Sequence, residues 1–347
     1  MNEEAKSTKL NSMSVKERLK LIFGQNSGFV LLVIVVMMIL FELVGQFKRG
    51  WPGHLVFLSS TNLLLIVRSM LYTGIIAFGM TFVMITGNID LSVGSQLTML
   101  CSICAVLMMK TDNAFVGIFG TLLIGAMCGA VNGVLVSYLN LNSFITTLGT
   151  SSVYTALALM VSAGTVLVIP DTCSAAFRWI GKATFGPFSI LVVWFVIVAV
   201  LLGLLLGRTV YGQRMYVIGA NPVAARFSGI RFKLNTTLAY IITGLCCGLA
   251  AAVTMANVLS ANPQSGSGKE MEVILCVVLG GCAVNGGKGS VLGTVLGVLL
   301  YGVLDNGFTL MNLSTYMRWV VMGLIMVFVL SIGALNERGV KLWKKKK

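Results

Sequence analysis

Charge is scarce in this chain. Of its 347 residues only 10% are Asp, Glu, Lys or Arg, where a soluble domain carries about 25%. That shortage rules out a water-soluble globule, because nothing would cover the surface. Histidine is nearly absent too, His54 being the single one, and it stands beside Trp51 and Pro52 at an expected outer interface. No cluster of His, Cys and acids has metal-ligand spacing. Cys101 and Cys104 form a C-x-x-C, but the second pair that a zinc site needs is missing. Seven of the eight cysteines (Cys101, Cys104, Cys128, Cys246, Cys247, Cys276 and Cys282) lie inside apolar runs, where thiols pack as small hydrophobes. A nucleophile with its base and orienting acid cannot be assembled, so no enzyme is expected. Residues 263–270, PQSGSGKE, imitate a phosphate-binding loop. However, Pro263 stands where the first Gly belongs and Glu270 follows Lys269 where Ser or Thr is required.

What the chain does have is apolar length. Hydrophobic residues make up 57% of it and mean hydropathy is +0.93. A membrane barrel needs ~10-residue segments of alternating polarity, whereas residues 30–41 (VLLVIVVMMILF) are apolar throughout. The expected fold is therefore an all-α integral membrane protein. Apolar runs at 28–45, 63–86, 92–109, 114–139, 143–163, 188–207, 236–256, 271–285, 289–305 and 317–335 predict about ten spans. The first begins after a polar arm with no small-residue cleavage site and is expected to remain as a span.

The net charge of +14 follows topology, not nucleic acid. Lys6, Lys9, Lys16, Arg18 and Lys20 lie in the arm 1–27, and Arg208, Arg214, Arg226, Arg231 and Lys233 lie in 208–235. Arg338, Lys341 and Lys344 to Lys347 lie in the tail 337–347. The positive-inside rule puts all three segments in the cytoplasm, with some attraction to anionic lipid. Six spans then separate the arm from the loop and four follow it, both even, as that topology requires. A single transmembrane domain over 28–336 is expected, with no soluble domain inserted. The longest loop on the other side, about 164–187, is expected to form a gate or a surface helix.

Most of the 39 glycines read as helix-packing residues. Two clusters beside polar residues read as helix breaks, Gly87-Asn88-Ile89-Asp90 and the run 280–290 (GGCAVNGGKGS). Unwound backbone at membrane depth survives only inside protein or along a watery cavity. Three roles are open to Asp90: capping the next helix, hydrogen-bonding passing hydroxyls together with Asn88, or pairing with a cation as a latch. In the loop, Asn221 caps a helix whose first residue is Pro222, and Gly229 ends it. Val223 and Phe227 share one face and Arg226 lies on another. Two turns are marginal alone, so this helix needs a docking surface, whether lipid or a partner.

Three stretches carry a family resemblance. Residues 79–95, GMTFVMITGNIDLSVGS, are close to GMTxVxxxGGIDLSVGS, with Asn88 in place of the second Gly. Residues 216–230, YVIGANPVAARFSGI, are similar to YAIGGNxEAARLSGI. The third stretch runs from Glu272 to Gly307, with Gly280-Gly281, Gly286-Gly287 and Asn306-Gly307 in matching places. The chain thereby resembles the permease subunits of bacterial ABC importers of the ribose/xylose/galactose class, the branched-chain binding-protein-dependent permease family.

The resemblance implies a multi-pass protein of the bacterial inner membrane that forms the path for a pentose or hexose. It implies a second permease, identical or homologous, and an extracytoplasmic sugar-binding protein. It also implies a separate ATPase that binds ATP and Mg, leaving this chain without cofactor or catalysis. Asn221, Pro222, Val223, Ala224, Ala225, Arg226, Phe227 and Gly229 then correspond to the coupling helix, with Val223 where the family's EAA---G pattern has Glu. Candidates for the path are Phe82, Asn88, Asp90, Asn132, Thr146, Thr147, Asn285 and Asn306; for each, helix-to-helix hydrogen bonding is the plainer role. The alternative is an ion-coupled secondary transporter. Its relay would have to be drawn from Asp90, Asp305, Arg68, Arg318, Glu42 and Glu272, which is few.

Overall fold

The computed structural model describes residues 27–48 and 55–337. The arm before Ser27, the Trp51-Pro52-His54 stretch and the basic tail after Glu337 lie outside the described residues. Five helices lead: α1 (Ser27–Lys48), α2 (Ser60–Ile85), α3 (Val93–Thr111), α4 (Ala114–Ser137) and α5 (Ser143–Ser162). A short region of β1 (Leu167–Val168), α6 (Ala175–Lys182) and a hairpin of β2 (Thr184–Phe185) and β3 (Phe188–Ser189) precedes α7 (Ile190–Arg208). Then come α8 (Val210–Ala220), α9 (Pro222–Phe227), α10 (Phe232–Val258), β4 (Ser260–Ala261), α11 (Lys269–Leu279), α12 (Val291–Leu310) and α13 (Thr315–Glu337).

Among the described residues eight helices are long and apolar enough to cross a membrane: α1 to α5, α7, α10 and α12. The protein is an all-α integral membrane protein. The last expected span is α13, whose described apolar stretch is Thr315–Ser331. The stretch expected to span over 271–285 is α11, 11 residues long, or about 16 Å, half of the ~30 Å hydrocarbon thickness. Helix starts are capped by side chains, Asn221 among them as the sequence suggests. Ser59, Asn113, Asn142, Ser189, Thr209, Asn221 and Ser290 each accept a backbone N–H in the first turn. In lipid an uncapped N–H has no water to turn to.

The interior is built from α2, α3, α10 and α12, while α1, α5 and α7 turn apolar side chains outward, such as Leu32, Leu157 and Val200. Close packing of α4 on α10 rests on Gly125, Gly129 and Gly133, one turn apart on one face. A methyl group at Gly129 would strike the carbonyl of Tyr240. Such contact between backbones is the main source of helix association in lipid.

The loop 164–187 does form a surface helix, α6. Backbone pairing of β1 with β4 joins this end of α5 to the end of α10, Leu167 opposite Ala261 and Val168 opposite Ser260. These elements lie at one end of α7, and α8 and α9 lie at the other.

Candidate functional site

Both Gly-rich breaks are real. α2 stops at Ile85 and α3 starts at Val93; α11 stops at Leu279 and α12 starts at Val291. The two irregular segments meet. Gly287 N–H donates to Ile85 O at 2.8 Å, and the Gly286 backbone lies against Gly87. Gly87 at φ +80° and Gly286 at φ +85° occupy backbone conformations that a side chain would strain.

Asp90 is fully buried. Its Oδ1 accepts from Ser92 N–H at 2.9 Å and Ser92 Oγ at 2.6 Å, and Asn132 Nδ2 approaches Oδ2 at 3.4 Å. Ser92 Oγ in turn accepts from Asn132 Nδ2 at 2.8 Å and from Gln96 Nε2 at 2.7 Å. Thr147 Oγ1 accepts from Leu91 N–H at 3.0 Å, and Tyr240 OH donates to Ile89 O at 3.3 Å. The segment 87–92 is thus clamped by α4, α5 and α10, with Asp90 at the head of α3, where a helix dipole favours an anion. No cation pairs with Asp90 among the described residues.

Of the path candidates, Asp90, Asn132 and Thr147 come together in this one cluster, each with no exposed surface. Phe82 is equally buried and stacks on Tyr211 at 6.2 Å between centroids. These four side chains therefore face protein in the single chain, and hydrogen bonding between helices accounts for the three polar ones. Asn88 is half-buried and donates to Thr86 Oγ1 at 2.9 Å. Thr146 is half-buried on α5 and Asn285 is exposed. Asn306 is far from both, at the other end of α12, where it exchanges amide hydrogen bonds with Asn62 at 2.9 and 3.1 Å.

The structure also reveals a surface that the sequence reading passed over. The loop 262–268, NPQSGSG, is not at the membrane edge. Gly266 packs on Gly94, next to Val93, whose carbonyl is met by the Cys247 thiol at 3.9 Å. Cys247 lies about 22 Å along α10 from Phe232 and about 16 Å from Val258. Gln264, Ser265 and Ser267 are nevertheless exposed. Beside them Ser95 Oγ and Ser151 Oγ share a hydrogen bond of 2.7 Å, and Thr155 Oγ1 donates to Ser95 Oγ at 3.0 Å. α11 starts here, its first turn carrying Glu270 and a Lys269–Glu272 ion pair at 2.6 Å. Exposed polar backbone at this depth belongs against a watery path or another chain. The polar run Thr146 to Thr155 was the available sign of it; the depth of 262–268 had none.

The helix read from Asn221 and Pro222 is α9. Asn221 Oδ1 accepts from Val223 N–H at 3.1 Å and Ala224 N–H at 3.0 Å. Its outer face is apolar: Val223 is 62% exposed and Phe227 89%. Ala225, by contrast, has no exposed surface and faces its own chain, and the Arg226 guanidinium sits 5.1 Å from the Phe232 ring centre. α8, a helix within the segment 208–235, connects α9 to the breaks. A methyl at Gly219 would strike both Ile85 O and Gly287 N, and Ala220 lies against Gly287. Tyr216 donates to Gly289 O at 2.8 Å, and burial pushes this phenol up to about 12, so it remains a neutral donor.

Residues 62–330 match the family described as the permease component of branched-chain amino acid transport systems. The chain belongs to this permease family. Similar proteins include the ribose import permease protein RbsC of Bacillus subtilis, 35% identical over 78% of this chain and 84% of the relative. The D-allose transport system permease protein AlsC of Escherichia coli is 32% identical over 81% of this chain and 86% of its own. The L-arabinose transport system permease protein AraH of E. coli is 32% identical over 74% and 77%. No solved structure matches. The permease is thus a multi-pass protein of the bacterial inner membrane and a component of a transport system.

Proposed function

We propose that this permease is the membrane-spanning subunit of an ATP-driven importer for a monosaccharide of the kind named for its relatives. A second permease, identical or homologous, completes the path, and an extracytoplasmic binding protein delivers the sugar. ATP and Mg act in a separate ATPase, and this chain hydrolyses nothing. Its ends and the 208–235 segment face the cytoplasm, as the positive-inside rule requires. The observation that carries the reading is α9: a capped helix of six residues with Val223 and Phe227 bare on one side and Ala225 packed on the other. An apolar face on an otherwise basic loop calls for a protein groove.

Movement at α9 has a physical route inward. α8 leads directly into α9 through Asn221, and Gly219 and Ala220 of α8 rest on Ile85 and Gly287, where the two breaks touch. The same backbone continues through Asn88 to Asp90, whose cluster holds α4 and α5. The buried polar residues therefore position the breaks, and the mid-membrane face of Ser95, Ser151, Thr155, Gln264 and Ser267 meets the solute. Hydroxyls and one amide offer many weak hydrogen bonds to a sugar and no tight grip, which suits release. Thr146, Asn88 and Asn285, the exposed or half-exposed candidates apart from the distant Asn306, extend that face toward the cytoplasm.

Reconstitution with the ATPase and a sugar-loaded binding protein in liposomes tests this. Sugar accumulation that needs ATP and ignores ionophores is the expected result. Uptake by the permease alone that collapses with an ionophore would establish ion coupling in its place.

A further inference from the structure

At the end of the bundle opposite α8 and α9 there is a crevice that neither the coupling surface nor the polar face uses. It is a cavity of about 500 Å³ lined by Arg68, Ser69 and Tyr72 of α2, by Lys182 and Thr184, and by Asn257. By the positive-inside rule this end is extracytoplasmic, and Arg68 lies about 12 Å along α2 from Ser60.

The polar wall is basic and largely uncompensated. Among the described residues Arg68 reaches only a backbone carbonyl, Pro187 O, at 3.5 Å. Lys182 stands 3.9 Å from Asp171, a carboxylate 90% exposed to solvent. The Tyr72 hydroxyl accepts from Asn257 Nδ2 at 2.7 Å, which leaves its own O–H as a donor. Two cations and a phenol donor around one cavity match a phosphate-type anion.

The surroundings say where such an anion comes from. Trp179, Phe185 and Phe188 are all more than half exposed beside the crevice, and the Trp179 and Phe185 rings pack edge to face at 6.4 Å. An exposed Trp of this kind sits at the headgroup level of a bilayer, with the apolar Phe rings beside it suited to acyl chains. Leu65 and Leu191 form the apolar part of the lining, and beyond them α7 presents Val193, Val196, Ile197 and Val200 outward. A basic pocket opening onto an apolar, lipid-facing helix fits an amphiphile. A soluble phosphate compound has no use for that apolar wall. We propose that the crevice is a binding site for one anionic phospholipid, its phosphodiester held between Arg68 and Lys182 and its acyl chains lying along α7.

Native mass spectrometry of the full-length permease in detergent tests this, titrating phosphatidylglycerol, phosphatidylcholine and inorganic phosphate separately. One phosphatidylglycerol per chain is expected to bind well ahead of phosphatidylcholine, unaffected by millimolar inorganic phosphate. R68Q/K182Q should weaken it about 30-fold, from the charge contribution of two basic residues near a lipid surface. Lys110→Gln, which removes an exposed cation outside the crevice, should change nothing. Arg68→Lys, which keeps the charge, should stay within about threefold of wild type, and guards against a double variant that fails to fold.

Equal phosphatidylglycerol affinity in wild type and R68Q/K182Q overturns the proposal. Displacement of the lipid by inorganic phosphate overturns the lipid source and assigns the same cations to a soluble phosphate ligand. If the double variant keeps its lipid but no longer binds the sugar-delivering protein, the cations are a protein contact and the lipid site is refuted. None of these readouts depends on which solute the permease carries.

Discussion

Removing one ring tests the role of α9 without touching the fold. Phe227 is 89% exposed, and its aromatic ring has no partner among the described residues. Seating a phenyl ring in a dry groove contributes about 1.5–3 kcal/mol from apolar area alone. Phe227→Ala should therefore raise the dissociation constant for the ATPase about 10- to 150-fold. Val223, 62% exposed, is smaller and should cost less when truncated. The assay is titration of the ATPase onto immobilised permease in detergent, with a melting curve of each variant alongside. The melting temperature of Phe227→Ala should match wild type, because nothing inside the chain loses a contact. Ala225→Arg serves poorly by comparison: Ala225 is completely buried against its own chain, so an added guanidinium disrupts folding and docking together. An ATPase affinity within twofold of wild type for Phe227→Ala would refute the docking face.

Gly219→Ala should separate binding from transport: the added methyl meets Ile85 O and Gly287 N, overpacking that typically costs about 1–3 kcal/mol. ATPase binding should persist while sugar uptake in liposomes falls at least about tenfold; normal uptake would show that the α8 contact carries no motion. Asp90→Ala removes the acceptor for Ser92 N–H and Oγ in a fully buried site, at about 1–3 kcal/mol per stranded donor. A melting temperature several degrees below wild type is expected, with Asp90→Asn between the two, and an unchanged melt would end the helix-cap interpretation. Glu42, 8% exposed, accepts from Val56, Phe57 and Leu58 N–H at 3.0, 2.8 and 2.8 Å and from Gln46 at 2.6 Å. Glu42→Gln turns an amide NH2 toward those donors and should loosen the α1–α2 connection, which faster proteolysis there than in wild type would reveal.

Much of the architecture was legible residue by residue. Apolar length with little charge dictates spans, because lipid leaves the backbone no partner but itself. Local chemistry then placed both Gly-broken segments and the short helix starting at Pro222 with its Asn221 cap, each depending on residues within a turn of one another. Direction and depth were not local. In lipid the buried and the exposed faces of a helix are both apolar, so α7 reads the same all round and periodicity does not tell which side meets protein. For that reason the sequence left Asp90, Asn132 and Thr147 open between the path and hydrogen bonding among helices, and packing puts them inside a clamp; it likewise turns Ala225, counted with the coupling helix, inward. The loop 262–268 looked like an ordinary connection. Only the contact of Gly266 with Gly94 sets it at mid-membrane, where exposed serines and glutamine need water or a partner chain beside them.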